Sequence, residues 1–180
     1  MNHLLIESEI KQWLQEVVIG LTLCPFAKAP FQKEAIRFFI SEAQTEECLI
    51  SDLVNECQIL DGDSAIETTL LICPYVLSDF FVYNQFLPWA DKVLKEYNWS
   101  GVYQIASFHP HYQFANIDKD DPQNLSNCSP YPILHLLRES TLSDILERYD
   151  NPEKIPEINI ETMNKLSPNQ KQQLFPYLFK

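Results

Sequence analysis

Three of the four histidines fall in one stretch of the chain. There an apolar run breaks into SFHPHYQFAN and, after an acidic patch, resumes as NCSPYPILHLLRE. Imidazole is the side chain whose unperturbed pKa lies nearest neutrality, so His109 is a candidate general acid or base and His135 a second catalytic candidate. His109 has an equally ordinary alternative, a strand end capped by its ring bonded to a loop carbonyl. Cys24, in LCPFAKAPF beside the end of a helical segment, is a nucleophile if a neighbouring base or charge lowers its pKa, and otherwise a small buried apolar residue.

Ser129-Pro130 reads as an N-cap with proline at the first helical position, which predicts a helix starting there, with Pro132 still in its first turn. Its free first-turn N–H groups would favour an anion beside Asn127 and Ser129. On such a helix His135, Arg138 and Glu139 share a face, since residues three and four apart are neighbours. Arg138 would supply the cation, with Tyr112, Tyr131, Glu139 and Arg37 as further substrate-binding candidates. The same pattern also describes an ordinary solvated face on which Glu139 pairs with His135 or Arg138. The chemistry predicted is binding of a small anionic metabolite, with enzymatic turnover left open and no particular cofactor implied. Two alternatives stand beside it. One is a metal or haem held by His109, His111, His135 and Cys128, although His-x-His followed much later by Cys and His is a weak ligand spacing. The other is a non-catalytic interaction module that uses an acidic or aromatic surface.

The elements that must position these groups follow from periodicity. Ile10, Trp13, Leu14, Val17, Val18 and Leu21 recur at helical spacing after Ser8, a plausible N-cap, with Gly20 near the end. Pro25 and Pro30 predict an extended or turning path through LCPFAKAPF. Ala35 to Ile40, Glu67 to Cys73 and Gly101 to Phe108 read as strands. Arg37 in the first of them either reaches an edge or points into a pocket. A helix opened by Thr45 and closed at Asp61-Gly62-Asp63 precedes the second strand, and a longer one over Leu77 to Tyr97, kinked at Pro88, precedes the third. About twenty residues of connection follow Phe108. Loops that long in a compact domain are functional or disordered, and the rings of His109, Tyr112 and Phe114 argue for function. Beyond Glu139 the caps at Thr141, Asn151-Pro152 and Ser167-Pro168 predict only short helices, with Pro156 interrupting the second.

Alternating strands and helices predict an α/β fold, one domain over residues 1–180. Its core would be a small, mostly parallel sheet of three strands or slightly more, flanked by helices and followed by a helical C-terminal region. Ligands in such sheets lie beyond the carboxyl ends of the strands, here near Ser41, Pro74 and His109.

Composition narrows the function classes. A formal charge of −12 argues against nucleic acid and anionic membranes as partners, since both need a basic footprint. The excess is local, because residues 38–91 contain ten acidic and no basic side chains. Only three glycines occur, which excludes Gly-rich phosphate loops and the dinucleotide fingerprint. Five cysteines without C-x-x-C spacing suit reduced thiols. The first residues lack the pattern of a signal peptide, and no apolar run approaches membrane-spanning length, so a cytoplasmic location is predicted. Oligomeric state is left open.

At LCPFAKAPF, SFHPHYQFA and NCSPYPILHLLRE the sequence resembles the bacterial and plastid family catalogued as domain of unknown function 1415. The resemblance runs from the first helix to Asn159-Ile160. The motifs match at Cys24, Pro25, Phe26, His109, Pro110, Tyr112, Phe114, Asn127, Ser129 through Pro132, His135, Arg138 and Glu139. His111 and Cys128 depart from the family pattern. The resemblance implies no reaction.

Overall fold

Four strands pair into one sheet: β1 (Ile36–Ile40), β2 (Thr68–Ile72), β3 (Tyr103–Phe108) and β4 (Ile133–Arg138), in the order β1-β2-β4-β3. The structure, a computed structural model, describes residues 2–147 and 149–179. β1 and β2 are parallel, whereas β4 runs antiparallel to both β2 and β3. The α/β class stands, but the mostly parallel three-stranded sheet does not. The three strands expected from the alternating pattern do point the same way. The fourth inserts between β2 and β3 and makes two of the three pairings antiparallel.

That fourth strand replaces the helix predicted after Ser129. Ile133–Arg138 is almost continuously apolar, and a short run of that kind satisfies a strand and a helix equally until its neighbours are known. Hydrogen bonding to strands on both sides decides it. Ile133, His135 and Leu137 then face one side of the sheet and Leu134, Leu136 and Arg138 the other, because side chains alternate along a strand. His135 and Arg138 therefore lie on opposite faces. The helix N-terminus proposed for an anion does not exist at Ser129.

One face of the sheet is covered by α3 (Glu46–Gly62) and α4 (Phe80–Glu96). Leu49, Leu53, Leu60, Tyr83 and Phe86 pack there on Leu71, Leu134 and Leu136. Thr45 caps α3 as expected, its hydroxyl accepting the Cys48 N–H, and Pro88 lies inside α4. Arg37 belongs to this face. β1 is an edge strand, and Arg37 pairs bidentately with the buried Glu56 of α3, at 2.6 and 3.0 Å.

The opposite face is covered by α1 (His3–Trp13), the π-helical turn Leu14–Ile19 that continues it, and the C-terminal residues Met163 and Phe175. α1 is capped by Asn2, six residues before Ser8, and the Asn2 side chain accepts the Leu4 N–H. The π turn ends at Gly20, where an added Cβ would run into the Glu16 carbonyl. After it the chain forms a short helix the prolines did not announce, α2 (Lys28–Gln32). The C-terminal region is helical as read: α5 (Glu139–Leu146), α6 (Ile155–Lys165) and α7 (Pro168–Leu174), the last opened by a capping box at Ser167. Pro156 lies in the first turn of α6 rather than interrupting a helix. Among the described residues no helix is long and apolar enough to cross a membrane.

Candidate functional site

The loop after β3 is ordered, and His109 is one of its anchors. The ring is fully buried. Its Nδ1 accepts the His111 backbone N–H at 2.9 Å, so in the neutral ring Nε2 carries the proton and donates to the Leu77 carbonyl at 3.0 Å. Burial pushes its pKa down to about 4, keeping it neutral, and the ring packs against Phe80 and Tyr83. Its backbone N–H donates to the Asn127 carbonyl, and its own carbonyl accepts from Ser129. Both ring nitrogens are thus occupied by backbone, which is the strand-capping role.

The other residues of the expected anion site are likewise turned inward. The Asn127 side-chain amide donates to the Ser107 carbonyl, Ser129 Oγ to the Tyr131 carbonyl, and Tyr131 Oη to Glu9. Tyr112 lies within hydrogen-bond distance of Ser107 and packs on Phe80. Glu139 opens α5, its backbone N–H donating to the Val102 carbonyl. Arg138 points to the α3 face, where its guanidinium donates to the carbonyls of Leu60, Asp63 and Ile66 and to Tyr103 Oη. A cation placed on the last carbonyls of a helix offsets the negative end of its dipole. At the carboxyl ends of the strands, where a ligand was expected, the nearest polar groups bond within the protein, although an open groove lined by Ile40, Glu42, Gln44 and Asp52 lies beyond β1. Ser41 is buried and donates to Asp52, and the Cys73 N–H donates to the Pro132 carbonyl.

An apolar cavity lies elsewhere, apart from three more polar grooves on the surface. On the α1 face, toward the amino ends of β1 and β2, is a cavity of about 180 Å³ with an almost wholly apolar surface. Its floor is the sheet, through Ile36, Thr68, Leu70, Ala106, Phe108, His135 and Leu137, with Glu67 and Arg138 also contributing to the lining. Its walls are Trp13, Leu14 and Val18 from α1 and the π turn, Cys24, Phe26, Ala27 and Pro30 from the following segment, and Thr141 and Leu142 from α5. Phe26 meets Tyr149 edge to face at 5.3 Å, joining the segment that carries Cys24 to the chain that follows α5. Two of the three catalytic candidates, Cys24 and His135, therefore share this cavity. His109 does not line it.

Cys24 is half-buried, and burial raises its thiol pKa against the opposing pull of the Phe26 and Ala27 backbone N–H groups directed at the sulfur. All five cysteines are free. His135 is held neutral, its pKa lowered to about 4 by burial. Its Nε2 lies 2.7 Å from Thr68 Oγ1. The ring is enclosed by protein and its remaining accessible surface borders the cavity.

Two residues that hold this arrangement were missed by sequence reasoning. Thr68 gave no signal beyond its β-branched preference for strands. Asn124 sits in a stretch that reads as solvated, yet it is buried. It accepts the Phe114 N–H and donates to the carbonyls of Asp118 and Lys119, closing the loop on itself. Among the described residues, no group of three His, Cys, Asp or Glu could hold a metal ion. Of the donors proposed for a metal, His111 lies beside His109, whose ring nitrogens are both bonded to backbone, while His135 borders the cavity and Cys128 is buried.

A family model described as "Protein of unknown function (DUF1415)" matches residues 5–173, running past Asn159-Ile160. No curated protein and no solved structure matches the chain. The segments that carry the resemblance supply much of the cavity: Cys24, Phe26, Ala27 and Pro30 from the first, Phe108 from the second, and His135 and Leu137 from the third.

Proposed function

We propose that this chain, which belongs to the DUF1415 family, binds a small, largely apolar molecule between the sheet and its first helices. The observation that carries the reading is the cavity, whose surface is almost wholly apolar although Cys24, Thr68, His135, Thr141, Glu67 and Arg138 contribute to its lining. A cavity of about 150 Å³ lined by Leu, Ile and Phe is known to admit benzene, so 180 Å³ suits a single ring or a short hydrocarbon chain. Burial of that apolar surface would drive binding. The surroundings do not favour the anion expected from the sequence. Arg138, the cation that was to hold it, is spent on the end of α3, and an unpaired charge in so apolar a space would be costly.

The test is titration of the protein with toluene, followed by NMR. Saturable shifts are expected in Val18, Leu70 and Leu137. They should vanish in Ala106→Phe, which puts a ring into the cavity, while the circular dichroism spectrum is retained. Absence of any saturable shift in the unmodified protein overturns the reading.

A second reading, in which the bound molecule is transformed, rests on Cys24 and His135 lining one cavity. Cys24 would be the nucleophile and His135 the base that takes its proton. In a Cys48→Ser background, which removes the exposed thiol, a small vinyl ketone should add to Cys24, and His135→Phe should slow the addition. An adduct rate indifferent to His135 would remove the base role.

A further inference from the structure

We propose that the ligand class is a neutral ring bearing one O–H or N–H donor, as in phenol or indole, received by Nδ1 of His135, with Thr68 the residue that fixes this polarity. The inference rests on the cavity being the binding site. It begins with a hydroxyl that has a single hydrogen. Thr68 Oγ1 lies 2.5 Å from the Leu136 carbonyl, an acceptor that cannot donate, so the hydroxyl hydrogen is committed there. Toward His135, 2.7 Å away, Thr68 is then an acceptor, and Nε2 must carry the proton. A neutral imidazole has only one N–H, which leaves Nδ1 bare, a lone pair without a protein donor among the described residues.

The sheet imposes this relay. Thr68 is opposite Leu137 and His135 opposite Leu70 in the antiparallel β2–β4 pair, so the two side chains are diagonal neighbours on the cavity face. Leu70, Leu137 and Phe108 beside them offer no polar alternative. Elsewhere in the lining Glu67 pairs with Lys33 and Thr141 belongs to α5, so over the sheet floor a ligand donor finds its acceptor at His135, which fixes orientation as well as identity. Sites built to accept a hydrogen bond discriminate strongly against analogues that lack the donor, since the buried acceptor is then left unpaired.

The experiment is a comparison of phenol with toluene, which have nearly the same shape and differ in one hydroxyl. In a dry cavity without an acceptor the hydroxyl is a penalty, and phenol should bind more weakly than toluene by about tenfold or more. In the unmodified protein phenol is expected to bind at least as tightly as toluene. His135→Phe and Thr68→Val should both restore the preference for toluene, and Thr68→Ser, which keeps the hydroxyl, should retain the preference for phenol. Nitrogen-15 NMR of the histidines should show His135 protonated at Nε2 and bare at Nδ1. If toluene binds and phenol is about tenfold weaker or worse in the unmodified protein, the donor inference is overturned and the cavity reading survives. A proton found on Nδ1 overturns it equally. If neither compound binds, the cavity reading falls and takes this inference with it.

Discussion

Replacing His109 by phenylalanine separates an architectural imidazole from a catalytic one. The ring contacts with Phe80, at 5.3 Å, and Tyr83, at 5.1 Å, can be kept by a ring of similar size, so the change isolates the two hydrogen bonds. Each bond is worth about 0.5–1.5 kcal/mol net, and the Leu77 carbonyl, in a residue 4% exposed, is left buried without its donor, adding about 1–3 kcal/mol. The expected loss is about 2–6 kcal/mol. Urea unfolding at neutral pH reads it as a midpoint lowered by about 1–3 M for a slope near 2 kcal/mol per M. Toluene binding measured below the transition should be unchanged, because His109 does not line the cavity. A midpoint shift under about 0.3 M would refute the reasoning on stability, since the bonds would then contribute almost nothing. Loss of ligand binding with stability intact would return His109 to the functional site.

The same geometry sets a pH dependence. His109 and His135 have folded pKa values lowered from 6.5 to about 4, so between those values the unfolded chain binds protons that the folded chain refuses. Their stabilising contribution is complete above pH 6.5 and is lost as pH falls toward 4, with a slope of at most about 1.4 kcal/mol per pH unit for each. Urea midpoints between pH 5.5 and 7 should rise with pH, less steeply in His109→Phe; a flat profile would contradict the buried neutral state. Arg138→Met should fray the end of α3, costing about 1–3 kcal/mol as the part-buried carbonyls of Leu60 and Ile66 lose one donor, and faster hydrogen exchange in residues 58–63 is the check. Asn124→Ala should loosen residues 110–124 locally, so that limited proteolysis cuts there while the urea midpoint moves by less than that of His109→Phe. Glu56→Gln weakens the pair with Arg37 by about 1–3 kcal/mol, discounted because the arginine is one-third exposed and can rehydrate; an unchanged urea midpoint would show the pair to be idle.

Local signals in the sequence determined much of the scaffold. Thr45 with its two following glutamates, the apolar stripe of α1, the capping box at Ser167 and the β-rich runs that became β1, β2 and β3 each act through neighbours a few residues away. Cys24 and His135 could be singled out too, because a thiol and an imidazole are rare donors wherever they stand. What could not be read locally was everything decided by pairing across the chain. Ile133–Arg138 offers an apolar face at either period, and only the vacancy between β2 and β3 makes it a strand. That choice turned Arg138 away from His135, removed the anion site, and set His135 on the cavity floor beside Thr68. The tautomer inferred for His135 depends on residues 67 positions apart. No spacing rule reaches that far, because sheet register is fixed by burial of whole faces and not by the sequence between the strands.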